Sequence, residues 1–422
     1  MHILTEIIRE DMKPALGVTE PGAIAFAVAK AKSYITEEIE KVKVRLNSGI
    51  YKNAFTCGIP NSDEVGNLFA AALGVVAGKA DRGLESLEDV TKEDNKKAQK
   101  LIDEGKIKVE LNRISSDIFI EVEIITQKEN SIVRIEGTHT NIVEIIVNGE
   151  TIFSKELEKK EENKEEIVLH RYSVKDILEY IDNVDISEIE FVMKAHDMNM
   201  ILFQEGLNNK KTTFVKQLWK MNGEKIFSDN SLNIAQLLCN GAIEARVLGL
   251  NKPAMSITGS GAHGIITTLP LLAECRANKI SDEKLIRATM LSYLICTYIK
   301  EYSGRLSAFC GCGIAGGTGV ACGIGYLRGA GAEEITNIIN NMSAGITGMI
   351  CDGGNQGCTM KGIVAVDAAF RAVEMAMNNT YIFNVHGING NTPEKTMMNM
   401  GRIASPGMIE TEKVIVDIFR EK

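Results

Sequence analysis

Five of the nine cysteines, Cys310, Cys312, Cys322, Cys351 and Cys358, fall in one glycine-rich stretch of the chain. Cys351 and Cys358 are joined by Asp-Gly-Gly-Asn-Gln-Gly. Two thiols on one such loop can converge on a single centre, and the loop N–H groups can hydrogen-bond cluster sulfides. A third thiolate from Cys310 or Cys312 would leave one iron of a cluster open. An open iron is a Lewis acid, which suits a non-redox lyase. Zinc is the rival metal, but the paired C-x₂-C spacing of structural zinc sites is missing. The plainer reading treats the thiols as small buried apolar groups. That reading is preferred for Cys239, Cys275 and Cys296, which sit in apolar helical patterns, and for Cys322.

Other polar groups could serve a substrate. Ser256 to Gly264 reads SITGSGAHG, a Gly/Ser loop entering a helix. Such a loop can cradle a carboxylate through N–H groups and hydroxyls, with Ser260 as a donor. His263 in it could act as a general base near neutral pH, or simply cap the helix. Lys52 and Asn53 offer a cation and an amide for a carboxylate, or form an exposed turn. Cys57 is either a fourth thiol and reserve base, or core. His139 and Asn141, between two strands, read as turn-formers. No Rossmann fingerprint and no Walker A motif is present, which argues against NAD and ATP.

The elements that must position these groups follow from periodicity. Residues 3–12 have helical spacing, ended by Pro14. A second helix starts at Thr19-Glu20-Pro21 and runs to Tyr34. Residues 41–46 alternate as a strand, and 48–63 read as a loop. Small-residue and charged helices follow near 64–78 and 94–104. KIKVEL, DIFIEVEII, SIVRIEG and NIVEIIVNGETIF alternate, with Asn148-Gly149 as a hairpin turn, and read as one antiparallel sheet. The charged run 155–166 marks a boundary. Beyond it the chain reads as helical at 174–183, 188–205, 213–220, 231–248, 263–278 and 282–300, and onwards to 418. The expected fold is α+β: N-terminal helices (1–35) packed on a helical portion (161–422), plus a smaller α+β domain (36–160).

The net charge of −9 leaves no basic face for nucleic acid. Charges spread through residues 1–13 give no signal-peptide core, and nine cysteines in a long chain point to a reducing, cytoplasmic setting with free thiols. Residues 306–327 carry no charge and are about long enough to cross a bilayer, but seven glycines favour a buried soluble helix. Oligomeric state is left open, a homo-oligomer included.

Taken together, PALGVTEPGAIAFAVAKA, NSGIYKNAFTCGIP, EGTHTNI, MSITGSGAHGI, CGCGIAGGTGVACGIGY, ITGMICDGGNQGCTMK and MNMGRIASPGMIETEKVI resemble, in order, the L-cysteine desulfidase family, related to the α part of iron–sulfur L-serine dehydratases. The resemblance implies a [4Fe-4S] cluster without pyridoxal phosphate, held by Cys312, Cys351 and Cys358. It implies release of sulfide or water from a small β-substituted amino acid, giving pyruvate and ammonia. Glu20, Lys52, Asn53 and Ser260 would then hold substrate, with His263 as base and Cys57 second. The family pattern LGCTEP carries a cysteine where this chain has Val18. GIPGTG becomes Gly58-Ile-Pro-Asn-Ser-Asp63, and GSGNQG becomes Gly259-Ser-Gly-Ala-His-Gly264. The altered motifs lie at the substrate end. A lyase for another small substrate, or a non-catalytic ligand-binding relative, is the alternative.

Overall fold

Period-two patterning buries one face of a sheet and leaves the other for charge. The structure, a computed structural model, describes residues 1–155, 168–304 and 306–422. Its strands are β1 (Lys13–Leu16), β2 (Lys41–Asn47), β3 (Ile107–Arg113), β4 (Phe119–Ile125), β5 (Asn130–Glu136), β6 (Ile142–Val147), β7 (Glu150–Ser154) and β8 (Pro253–Ser256). Six of them form a sheet in the order β3-β2-β4-β5-β6-β7. Val42, Val44, Leu46, Ile120, Val122, Ile124, Val133 and Ile135 are buried on one face. The residues between them carry ion pairs on the other: Arg45–Glu121 at 2.6 Å and Arg134–Glu121 at 2.7 Å. Asn148 and Gly149 take positive φ in the β6–β7 turn, as Asn-Gly turns require.

The fold is α+β, with one correction to the sheet: β2 and β3 pair in parallel, while the remaining pairs are antiparallel. The cause is the connection between β2 and β3. It carries the helices Ser48–Asn53, Gly66–Val76 and Lys92–Asp103, and so returns the chain to the same end of the sheet. Residues 48–53 were expected as loop. They are helical because that turn packs against neighbours distant in sequence, with Gly49 set against the Leu306 side chain. β1 and β8 were also missed. Each has only four residues, and they pair across the molecule, Lys13 with Ser256.

The two N-terminal helices part company. Ile3–Asp11 lies against the long helix Asp282–Ser303, whereas Thr19–Lys32 lies on β4, β5 and Gly66–Val76. The two helices thus pack on different partners. Small residues allow the second contact: a Cβ at Gly74 would come within 2.9 Å of the Ala25 carbonyl oxygen. Beyond Lys155, the rest of the charged run (156–166) lies outside the described residues.

The rest is helical. Gly317–Leu327 is buried among Asp282–Ser303, Ala332–Ile346 and Gly357–Met377. Its glycines are needed for close approach, since a Cβ at Gly319 would stand 2.4 Å from the Ser292 carbonyl oxygen. Among the described residues no helix is long and apolar enough to cross a membrane. The expected helix 263–278 is instead two, Gly261–Ile266 and Leu269–Asn278. At the break, the Thr267 and Thr268 hydroxyls donate to the His263 and Gly264 carbonyls, competing with helix continuation.

Candidate active site

Two chain segments carry the thiols, and one short bridge joins them. Phe309 pairs with Ile350 in an isolated antiparallel bridge. Cys310 N donates to Met349 O at 3.0 Å, and Cys351 N to Ala308 O at 2.6 Å. This sets the Cys310-Gly-Cys312 turn beside the 351–358 loop. Cys312 opens a π-helical turn, Cys312–Gly316, a distortion that recurs at functional sites. Burial pushes the Cys310 thiol up to about 12, and its neighbours Cys351 and Cys358 add to the rise. Burial likewise raises Cys312 and Cys358, again with help from neighbouring thiols. Cys310, Cys312 and Cys358 are thus held protonated by burial, reinforced by neighbouring thiols. Cys322 is wholly buried in Gly317–Leu327, away from this group.

The loop rests on the Ser48–Asn53 helix. Gly354 N donates to Asn53 O at 3.2 Å, and Gly353, at φ +100°, lies where a Cβ would be 2.5 Å from Lys52 O. Asn53 is the hinge of the site. Its Nδ2 donates to Glu20 Oε1 at 2.8 Å, and its Oδ1 faces Cys351 Sγ at 3.8 Å. His139 Nε2 stands 3.8 Å from Glu20 Oε1, buried and without a hydrogen-bond partner. Burial works against the Glu20 charge, but His139, Asn53 and Arg246 outweigh it and hold the carboxyl below its ordinary value. Cys57 is fully buried. Burial, with the Glu20 charge behind it, keeps its thiol protonated, which counts against Cys57 as a base. Val18 packs on the same loop: a Cβ at Gly354 would meet Val18 Cγ1 at 2.8 Å.

On the other side stands His263. The Thr258 hydroxyl lies 2.7 Å from Ile257 O and shares a hydrogen bond with His263 Nδ1, 2.5 Å away. His263 Nε2 abuts Gly311 in the thiol turn. Burial, then Lys300 and Arg246, holds the imidazole neutral well below its ordinary pKa. Ser260 caps Gly261–Ile266 through its backbone, its N bonded to Ile257 O. Lys52 lies elsewhere. Its Nζ pairs with Glu412 Oε2 at 2.6 Å and with Ser307 O at 3.0 Å, both in the interior. That cation is already engaged within the protein.

Two participants escaped the sequence reading. His139 was taken for a turn-former because a lone histidine between strands carries no motif. Arg246 lay inside a helix with no pattern to mark it, yet it is buried and its charge reaches Glu20, Cys57, His263, Cys312 and Cys358. A cleft of about 550 Å³, lined by Thr56, Gly58, Val65, Val247, Asn355 and Gln356 among others, opens beside Cys57 and Arg246.

Fold and site together define a chain of the serine dehydratase type. Residues 81–417 match the family described as serine dehydratase alpha chain, and the chain belongs to that family. It is similar over its whole length to proteins named UPF0597. That of Clostridium botulinum (strain Okra / Type B1) is 43% identical over 426 residues, spanning 100% of this chain and 99% of that one. That of Caldanaerobacter subterraneus subsp. tengcongensis is 38% identical over 421 residues, spanning 100% and 98%. That of Alkaliphilus oremlandii is 34% identical over 421 residues, spanning 99% and 98%. The relation read from the motifs is borne out in its serine dehydratase part.

The donor set fits an iron–sulfur cluster in kind. Among the described residues no three His, Cys, Asp or Glu side chains are grouped to hold a single metal ion. A cluster takes its thiolates at separate corners and does not need them to meet at one point. Its positive irons would also favour the thiolates that burial and mutual repulsion now disfavour.

Proposed function

We propose that the protein is an iron–sulfur-dependent lyase acting on a small β-substituted amino acid of the L-serine or L-cysteine type. The observation that carries this reading is the Phe309–Ile350 bridge. It sets the Cys310-Gly-Cys312 turn beside the 351–358 loop, with the buried His263 imidazole against that turn. Cys312, Cys351 and Cys358 would hold a [4Fe-4S] cluster, with Cys310 outside the ligand set. When bound, the cluster supplies an open iron that polarises the bond to the leaving group.

The protein's own groups handle the protons. His263, kept neutral by burial and by Lys300 and Arg246, takes the α-proton at Nε2. The electron pair of the Cα–H bond becomes the Cα=Cβ bond, and the bond to the leaving group breaks with its electrons on sulfur or oxygen. His139, whose Nε2 stands 3.8 Å from Glu20 Oε1, delivers the proton to the departing group. The resulting enamine tautomerises, and water hydrolyses it to pyruvate and ammonia. Asn53 holds Glu20 in place, and substrate arrives by the cleft beside Cys57.

A second reading rests on Val18: it puts a hydrocarbon where the family pattern has a thiol, as a ligand-binding relative without turnover would. Anaerobic purification, iron counting and a panel of L-serine, L-cysteine and other β-substituted amino acids separate the two. Iron with pyruvate and ammonia release is expected. Iron-free protein after reconstitution removes the cluster, and iron without pyruvate leaves the ligand-binding reading.

A further inference from the structure

Arg246 is the strangest charge in the molecule. It sits in the last turn of Ser231–Val247 and is only 5% exposed. A buried arginine is ordinarily matched to a carboxylate, because an unpaired interior charge is costly. Its Nε is buried with no hydrogen-bond partner. No carboxylate lies within ion-pair distance of its guanidinium among the described residues, although every other strongly buried cation with a described side chain is paired or bonded. The side chain also has space made for it. A Cβ at Gly261 would stand 2.7 Å from Arg246 Nε and 3.1 Å from Cδ. Gly261 does not take positive φ, so its backbone does not call for glycine. The missing side chain is what accommodates the arginine.

The surroundings say what the guanidinium waits for. Gly261, against which Arg246 packs, adjoins Ala262, whose carbonyl accepts from Cys312 Sγ at 3.5 Å, and lies two residues from His263. The guanidinium therefore sits near the thiol turn and His263, and its charge reaches Glu20 and Cys57. A planar fork of N–H donors in a dry setting matches a carboxylate in two parallel bonds.

We infer that Arg246 is the anchor for the α-carboxylate of the substrate, and that it restricts this site to free amino acids and 2-oxo acids, excluding amides and amines. The inference rests on the active-site reading above and names the residue that selects the substrate class. It also explains why Lys52 can be spent on Glu412: the site already has its cation. The carboxylate supplies the negative charge that Arg246 lacks, so binding relieves a defect built into the empty fold.

The test uses equilibrium binding, which does not require turnover. Calorimetric titration of the full chain, cluster-free and reconstituted, is made with L-alanine, pyruvate and L-alaninamide. L-alanine has no leaving group and stays intact. Saturable binding of L-alanine and pyruvate is expected, with the amide far weaker. Arg246→Gln should lose roughly 30- to 1000-fold in carboxylate affinity, as truncating one side of a buried charge pair does. Arg246→Lys should fall between, since it keeps the charge and loses the fork. Gly261→Ala, which leaves the arginine but crowds it, should also weaken binding. The melting temperature of Arg246→Gln should not fall, because an unpaired buried charge is removed.

Carboxylate binding within about threefold of the parent in Arg246→Gln or Arg246→Lys overturns the anchor. So does equal binding of acid and amide, or no saturable binding by the parent. Variants that lose iron yet bind L-alanine unchanged make Arg246 a counter-charge to the thiolates, and also sink it. Should Arg246→Gln fail to fold, Arg246→Lys and Gly261→Ala carry the decision. Binding that depends on Arg246, with no pyruvate from any substrate, would remove the lyase and leave the anchor standing. Pyruvate formation with an unchanged KM in Arg246→Lys would do the reverse.

Discussion

Four thiols share one neighbourhood, and their roles differ by what each already touches. Cys310 Sγ accepts from Gly313 N at 3.4 Å, a contact inside its own turn. Cys312 Sγ donates to Ala262 O at 3.5 Å, toward His263 and Arg246, and Cys358 Sγ to Gly353 O at 3.3 Å. Serine at Cys312, Cys351 or Cys358 is expected to abolish iron binding after anaerobic reconstitution, while Cys310→Ser keeps it; iron counting with visible absorption reads the difference. The two imidazoles should separate by mutation. His263→Gln removes the base, with a loss of about 10²–10⁴ in kcat. His139→Gln should cost most with poor leaving groups such as hydroxide and least with good ones, when kcat is compared across the substrate panel. Glu20 was named from the sequence as a helix start and a substrate-holding group, without a partner. Its partner was invisible because histidine and carboxylate are 119 residues apart in sequence and meet only through the fold, Glu20 against His139.

Among the elements, the Ser48–Asn53 helix bears the greatest load for its length. It supports the cysteine loop through Lys52 O and Asn53 O, and is clamped to the helix Ile409–Arg420 by the Lys52–Glu412 pair. Lys52→Met alone leaves the Glu412 carboxylate buried and unpaired, and should cost about 3–5 kcal/mol of unfolding free energy in denaturant titration. The double change Lys52→Met with Glu412→Met should recover most of that. If the double variant is no better than the single, the pair is not what secures the helix. Gly319→Ala tests the packing of the thiol segment: its Cβ would press on a backbone oxygen, for about 1–3 kcal/mol of destabilisation. At this scale much was legible. Period-two alternation found β2 to β7, and apolar spacing found Val174–Asn183 and Ser231–Val247 closely. What could not be read were β1, β8 and Ser48–Asn53. Elements of four to six residues gain their stability from partners far along the chain, not from local pattern.

At the scale of the whole molecule, stability should depend on acidity through groups far from the thiols. His196 is buried, its Nε2 2.8 Å from the Thr289 hydroxyl, and burial with nearby Arg276 lowers its pKa from 6.5 to about 3. Between those values the unfolded chain binds the additional proton and the folded one does not. Stability therefore rises with pH across that window, and is lost as pH falls below about 6.5, at about 1.4 kcal/mol per unit. Melting curves from pH 7 to pH 4 should fall accordingly, and His196→Gln should flatten the acid limb. An equal slope in that variant would assign the loss to other groups. The cleft makes a further test: Val65→Trp, at its exposed rim, should raise KM with little change in kcat. The Lys52–Glu412 contact, spanning 360 positions, has one more consequence, for biosynthesis. Until residue 412 has been synthesised, Lys52 lacks the carboxylate it pairs with, so the helix under the cysteine loop gains its clamp late in translation.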